Sequence, residues 1–347
     1  MSDRRKEAEE KMAKAIFIAA DCWLCVFDLL PLSQLGLGIS TISRRFDYYV
    51  DEHFKTRKWT LKFIQIVCKI GENGTKKMEI TNHGGEALPI PQIQMPRKVI
   101  GFQRINIFFI DRNAITFLRR FCQLFAACPI NLTIDPSYYN DRILEFIFRN
   151  IWPMLNKKIC AMQLSATVFR RLRQFVPPIL NDCPSLRVFS IRIADFFTGF
   201  PCDDNAMASD GQAVTKWLFT PRPDKVPKLF KCVHQKGFCL GFFPVNFIVI
   251  IRFIPSSFAF SVVPFVLTNG LTREQLTLKR IDNNRRFLLI RCPIARDESK
   301  WPKWEEEAID WEFYDQWNRI NIPIYREDGI GDGLLDANPG TSDQQQK

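Results

Sequence analysis

Between residues 104 and 191, apolar segments typical of strands alternate with amphipathic segments typical of helices, and this alternation constrains the fold more than any other feature. The candidate strands are RINIFF, INLTI, ICAMQL and LRVFSI, which begin at Arg104, Ile130, Ile159 and Leu186. They are joined in turn by the helical segments RNAITFLRRFCQLFAA, YYNDRILEFIFRNIWPML and ATVFRRLRQFVPPIL. This order of elements predicts helices packed against a sheet.

The spacing of these strands suggests a repeat. Successive strands begin about 26 to 29 residues apart, which is the range of leucine-rich repeats, where each unit is one strand and one helix. A Cys-Pro dipeptide also precedes two strands, in ACPINLTI and DCPSLRVFSI. Residues 96–202 are therefore predicted to form leucine-rich-repeat-like α/β units, and an ordinary α/β domain with helices of similar length is the alternative.

The flanking segments have different patterns. Residues 59–95 predict a β-hairpin with its turn at Asn73 and Gly74, followed by a Pro-rich link. Residues 203–326 predict a separate mixed α+β module with strands VNFIVIIRF, SVVPFVL and RRFLLIRC, helices GQAVTKWLF and PKWEEEAIDW, and a closing strand RINIPI. Residues 327–347 are polar and Gly-rich, and we expect them to be disordered.

The N-terminal region is predicted to be helical. Residues 1–14 form a charged lead-in, and residues 15–58 contain three amphipathic segments. Asp21 is expected to cap the first helix, which ends at Pro31, and a second helix is expected to start at Ser33. The whole chain is thus predicted to be α+β: a three-helix N-terminal domain, repeat-like α/β units and a mixed α+β module.

Composition favours a packed protein in a reducing compartment. The chain is 46% hydrophobic and has 31 Phe residues, so it can offset the entropy cost of ordering. Its 11 Cys residues are scattered singly in apolar segments, which predicts mostly buried free thiols and a cytoplasmic or nuclear location. The net charge of +11 is spread along the chain, so nucleic-acid binding is not favoured.

Membrane insertion is not expected either. The most apolar stretch, residues 240–267, is interrupted by Arg252 and three prolines, and two buried strands are the better interpretation. The apolar segment after the lead-in is interrupted by Asp21 and Asp28 and does not follow a basic region, so a secretory signal is not expected.

The sequence provides little for catalysis. None of its three His residues lies at a spacing that makes a metal set or an obvious general base. Cys22 and Cys25 are one helical turn apart, and no second Cys pair accompanies them. We therefore expect both cysteines to act as small apolar residues of a packed helix. The segment from Gly36 to Gly38 lacks the pattern of a phosphate loop. We therefore expect no enzyme, cofactor or metal site.

The segment DCWLCVFDLLPLSQLGLGISTISRRFDYYVDEHFKTRKW resembles the F-box. That motif has a large apolar residue, then Val or Ile with Phe, a Leu often followed by Pro, another Leu, and a closing Ser-Arg-x-Phe. The matching positions here are Trp23, Val26, Phe27, Leu30, Pro31, Leu35, Ser43, Arg44 and Phe46. The family usually begins its first helix with Leu-Pro, whereas this chain has Ala19 and Ala20. The later segments LTREQL and RCPIARDESKWPKWEEEA are similar to the regions that follow the F-box in large nematode-type families.

This resemblance implies a substrate-recognition adaptor of a Skp-cullin-F-box ubiquitin ligase. The nine matching residues would bind a Skp-type adaptor and through it a cullin, and the C-terminal region would bind an unknown protein target. About half of the large apolar residues are expected to fill the helical core, with Phe46 first among them. The alternatives are an interaction scaffold without a ligase and, with less support, a basic nucleic-acid-binding protein.

Overall fold

The computed structural model describes residues 19–30, 34–56, 59–82, 84–88, 99–124, 128–135, 141–192, 201–234, 245–253, 263–282, 286–324 and 327–335. The predicted lead-in, most of the Pro-rich link and the last twelve residues of the predicted tail lie outside these ranges. The described chain is mixed α/β, with one large sheet and helices on both of its faces.

In the described part of the chain, thirteen strands form a single sheet. They are β1 Trp59–Ile70, β2 Lys76–Thr81, β3 Ala87–Leu88, β4 Val99–Ile107, β5 Ile130–Ile134, β6 Ile159–Ser165, β7 Val188–Arg192, β8 Lys228–His234, β9 Phe247–Phe253, β10 Phe265–Asn269, β11 Glu274–Arg280, β12 Arg286–Pro293 and β13 Arg319–Ile322. Their order across the sheet is β10-β11-β12-β9-β8-β7-β6-β5-β13-β4-β1-β2-β3.

The middle of the sheet is parallel and its two edges are antiparallel. Strands β1, β4, β13 and β5 to β9 run parallel to their neighbours in this series. The predicted hairpin is confirmed, because β1 and β2 pair antiparallel around the turn at Gly74, whose φ is +72°. At the other edge, β12, β11 and β10 form an antiparallel meander next to β9.

The sheet continues across residue 203. Strand β8 pairs with β7, and the C-terminal strand β13 lies between β4 and β5. The expected separate module at 203–326 is therefore wrong, although its predicted strands and helices are present as elements. The physical reason is that the apolar strands on both sides of residue 203 are buried only when they pair with each other in the middle of one sheet.

The helices are α1 Ala20–Leu29, α2 Ser40–Ile42, α3 Arg44–Thr56, α4 Arg112–Leu124, α5 Asp141–Asn150, α6 Trp152–Leu155, α7 Ala166–Phe175, α8 Asp210–Phe219 and α9 Trp301–Asp310. Helices α4 to α8 share one hydrophobic core with one face of the sheet. Helix α9 packs on the opposite face through Trp301 and Ala308. No described helix has both the length and the apolar composition that a membrane span needs.

Local sequence explains these positions. In β6, Met162 and Leu164 face the helix-side core while Ala161 faces the α9 side, as the period of two in a strand requires. In α4, the carboxylate of Asp111 accepts a hydrogen bond from Ala114 N at 2.7 Å and caps the helix. The same carboxylate accepts from Met78 N at 3.0 Å, which ties β2 to the start of α4.

Part of the predicted disordered tail is ordered. Ile330 is 8% exposed and pairs with Ile110 in an isolated parallel bridge. Gly331 N donates to Ile110 O, and Asp332 Oδ2 accepts from Arg112 N. Leu334 and Leu335 also pack against the helix-side core. The prediction is thus wrong for residues 327–335, because three apolar side chains and a few hydrogen bonds fix a segment whose composition is otherwise polar.

Candidate interaction surfaces

The N-terminal residues form a small helical unit. Helix α1 is followed by a π-helical segment, Leu35–Ile39, then by α2 and α3. Phe27, Leu35 and Val50 are its fully buried centre. Trp23 and Phe46 lie at the edge of this centre, with ring centroids 4.9 Å apart in a T-shaped contact. The expectation that Phe46 would be the most buried of the large residues is wrong, since it is only half-buried.

Two helix starts in this unit differ from each other. Ser43 is in extended conformation, and its Oγ accepts a hydrogen bond from Phe46 N at 3.4 Å, so it caps α3. Ala19 occupies the N-cap of α1 and makes no side-chain hydrogen bond there. Asp21 lies in the first turn of α1, where its negative charge interacts favourably with the positive end of the helix dipole. The prediction that Asp21 is the N-cap is wrong.

Helix α1 is apolar on its outer side as well. Cys22, Cys25, Val26 and Leu29 are spaced as i, i+3, i+4 and i+7, and all four are exposed. Leu29 is 84% exposed and Val26 is 42% exposed. We call these four residues the outer stripe. The expectation that Cys22 and Cys25 are packed in the helix is wrong, because the inward positions are taken by Phe27 and by half-buried Trp23.

The motif residues therefore divide between the core and the surface. Phe27 and Leu35 are buried, Trp23, Leu30 and Phe46 are half-buried, Val26, Ser43 and Arg44 are exposed, and Pro31 lies outside the described residues. Leu29 is an exposed apolar residue of α1 that the motif did not indicate. Its signal in the sequence was the helical spacing from Cys22, Cys25 and Val26, which gives a second apolar stripe on one helix.

A second surface lies on the sheet, on the face opposite α4 to α8. One polar residue from each of eight neighbouring strands occupies the same register across this face. We call this set the polar row: Thr81, Gln65, Asn106, Asn321, Thr133, Gln163, Ser190 and Lys231. Their sequence neighbours, such as Ile105 and Ile107, belong to the helix-side core.

The polar row is partly hydrogen-bonded within itself. Asn321 Nδ2 donates to Asn106 Oδ1 at 2.9 Å, and Thr81 Oγ1 donates to Gln65 Oε1 at 3.4 Å. Thr133 Oγ1 is buried and has no hydrogen-bond partner among the described residues. Most members are half-buried. The row thus offers donors and acceptors to a chain that lies across the strands.

At the β8 end of the polar row is a cavity of about 380 Å³. Lys231, Arg252 and Arg286 line it together with the loop from Trp311 to Tyr314. Lys231 Nζ donates to Trp311 O and lies 3.2 Å from Glu312 Oε1. Burial lowers the pKa of Lys231, and the neighbouring Glu312 carboxylate opposes that shift. The cavity is basic overall.

The described residues contain no group of three or more His, Cys, Asp or Glu side chains that could hold a metal ion. Burial raises the pKa of the Cys122 thiol to about 11 and that of Cys232 to about 12, which leaves both thiols protonated and unreactive at neutral pH.

Comparison with known protein families, with curated proteins and with solved structures gave no match for this chain.

Proposed function

We propose that this chain is a substrate-recognition adaptor of a Skp-cullin-F-box ubiquitin ligase. The observation that carries the proposal is the outer stripe on α1, which lies within the segment that resembles the F-box. A helix of a small unit that is apolar on both sides needs a partner for its outer side. The inward residues hold the three helices together, and the outward ones are free to enter the groove of a Skp-type adaptor, which in turn binds a cullin.

Burial of the outer stripe would supply much of this affinity. A Val or Leu side chain contributes about 1.5–3 kcal/mol when it moves from water to a fully buried site. Leu29 is almost completely exposed in the free chain, so it gains the most on docking. Ser43 and Arg44 would contribute at the polar rim, where contacts add little energy.

The polar row supports the second half of the proposal, the binding of a target protein. The leucine-rich-repeat-like interpretation gains support from β5, β6 and β7, which start at Ile130, Ile159 and Val188 and are consecutive in the sheet. The helices that follow β4 to β7 all pack on one face, so a ligand would bind the opposite face, which carries the polar row and which α9 covers in part. Strand β13, inserted between β4 and β5, departs from a strict repeat.

The test replaces the outer stripe without touching the core. In Val26→Asp with Leu29→Asp, we expect co-purification with a Skp-type adaptor to fall by at least about 100-fold, since two apolar contacts are lost and two charges are desolvated. Leu271→Asp is the control, because Leu271 is 98% exposed and lies in the turn between β10 and β11. Far-UV circular dichroism should be unchanged for both. Normal adaptor binding by the double variant would refute the proposal.

Trp23→Ala with Phe27→Ala tests the proposal less cleanly. Phe27 is 1% exposed and is one of three fully buried apolar residues in the described part of this unit, so its removal costs about 3–5 kcal/mol of stability. Loss of binding by that pair would reflect unfolding of the unit. A chain that binds a protein target but never an adaptor would instead be an interaction scaffold without a ligase.

A further inference from the structure

Two arginines lie side by side next to the polar row. Arg104 in β4 and Arg319 in β13 are direct register partners, and both point to the face opposite α4 to α8 because Ile105 and Ile320 point into the helix-side core. Asn106 and Asn321 of the polar row follow them two residues later on the same strands. The pair therefore lies at the edge of that row.

Within the described part of the chain, neither arginine has an acidic partner within ion-pair distance. Arg319 is 5% exposed, and the Nε atoms of both residues are buried without a hydrogen-bond partner among the described residues. Arg104 instead stacks its guanidinium 4.3 Å from the ring centroid of Phe63. Arg319 is thus a buried cation beside the half-buried Arg104, and an anion bound between them would satisfy their buried Nε donors and offset their charges.

The surroundings increase this demand for an anion. Burial lowers the pKa of Arg319, and the Arg104 charge acts in the same direction, while Asp315 and Tyr314 oppose it. Tyr314 and Trp317, in the segment that leads into β13, are 58% and 52% exposed. The two arginines thus form a positively charged site, with Asp315 as the nearby acidic residue and the exposed side chains of Tyr314 and Trp317 beside it.

The length of the polar row indicates what kind of anion fits. Eight strands at about 4.8 Å each span about 34 Å, the length of about ten residues of extended chain. Most of the row consists of neutral amides and hydroxyls, which suit a peptide backbone better than a continuous line of phosphates. The cationic cavity around Lys231 and Arg252 lies at the far end of the same row.

We infer that Arg104 and Arg319 form an anion-binding site that accepts a carboxylate side chain from an extended, acidic segment of the target protein lying along the polar row. The planar guanidinium groups suit the two oxygens of a carboxylate. The inference rests on the proposed target-binding role of this face, and it names the chemistry of the target.

The test uses the purified full chain and a fluorescein-labelled ten-residue peptide of alternating Glu and Gly, measured by anisotropy at about 0.15 M salt, where distant surface charges are screened. We expect the Glu peptide to bind at least about tenfold more tightly than the same peptide with Gln. Arg104→Gln and Arg319→Gln should each weaken binding about tenfold, the loss of one charged hydrogen-bond pair. Arg120→Gln removes the same charge from an exposed position of α4 and should have less than a twofold effect.

Folding is checked by thermal unfolding of each variant. Arg319→Gln removes a buried, unpaired charge and should unfold at the wild-type temperature or above it; Arg104, being half-buried, provides a second variant if Arg319 proves structural. Equal binding of the Glu and Gln peptides, or full affinity in the folded Arg104→Gln variant, would overturn the inference. Tighter binding of a ten-nucleotide RNA that also depends on Arg104 would overturn it in favour of nucleic acid. Because no adaptor is present, this outcome is independent of the adaptor test.

Discussion

Lys228→Met should stabilise the protein, and more at acidic than at basic pH. Lys228 begins β8 and is 5% exposed. Its Nζ donates to Trp217 O and lies 4.9 Å from the Trp217 ring centroid. In the described residues no carboxylate pairs with it. Burial, and secondarily the Arg222 charge, lower the pKa of Lys228 from 10.5 to about 7.

The sign follows from proton binding. Between pH 7 and about 10.5 the unfolded chain binds a proton at Lys228 that the folded chain has released, so the free energy of unfolding rises with pH in this window. The free energy of unfolding changes by about 1.4 kcal/mol per pH unit for each proton that only the unfolded chain binds. Between pH 6.5 and 8.5 it should therefore rise by about 2 kcal/mol, which is less than the full two-unit value because the folded lysine is itself partly charged near pH 6.5. Met has a similar length and no charge, so the variant lacks this dependence.

The measurement is urea unfolding of wild type and variant at pH 6.5, 7.5 and 8.5, followed by tryptophan fluorescence. The stability gain of Lys228→Met over wild type should be about 2 kcal/mol larger at pH 6.5 than at pH 8.5. Lys303→Met, at an exposed position of α9, is the control and should give parallel pH curves. A constant difference between Lys228→Met and wild type across this range would show that Lys228 is charged in the folded state and refute the reasoning.

Two further predictions concern helix and chain ends. Ala19→Asp should supply the missing N-cap of α1 and stabilise the helical unit by about 1 kcal/mol, seen as a higher unfolding temperature of that unit, whereas no change would mean that the first turn is already satisfied. Gly331→Ala should destabilise the protein by about 1–3 kcal/mol and speed proteolysis after Arg326, because its Cβ would lie 2.5 Å from Cζ of the buried Phe109; Gly270→Ala, with no atom near its Cβ, is the control.

The sequence predicted the elements well where one local pattern decides them. Strand β5 is INLTI, as predicted, because Ile130, Leu132 and Ile134 alternate with polar residues. Helix α9 buries Ala308, and Trp311 at its C-cap packs in the same cluster, at the spacing that the sequence showed. Of the two buried strands predicted within residues 240–267, β9 is present and buried. Strand β10 is present at Phe265–Asn269, but the expectation that it is buried is wrong, because it is an edge strand and most of its side chains are exposed.

What the sequence could not give is how distant elements meet. The segment RINIPI was predicted as a strand, but no local pattern places it between β4 and β5, more than 180 residues earlier in the chain. The same limit hid which residues of INLTI point away from the helices. Pairing shows that Asn131 and Thr133 do, and only then does the polar row become visible.

Helix α1 illustrates a different limit, because the first part of the motif and the outer stripe lie in the same ten residues. A match to a family pattern does not distinguish residues that hold a unit together from residues that bind a partner. Burial separates them: Phe27 is in the core and Leu29 is in solvent. The two cysteines that first suggest thiol chemistry belong to the exposed side, where their role is to widen an apolar stripe.

The position of β13 between β4 and β5 also determines how the polar row can be tested separately from the outer stripe of α1. The centre of the polar row needs Asn106 and Asn321, and the arginine pair needs Arg104 and Arg319, so each combines residues from the middle and the end of the chain. A fragment that stops at residue 203 would lack β8 to β13 and would leave both β4 and β5 with an unpaired edge. Truncation would therefore abolish the proposed target binding by unfolding the sheet, and point substitutions are needed to separate it from the proposed adaptor binding.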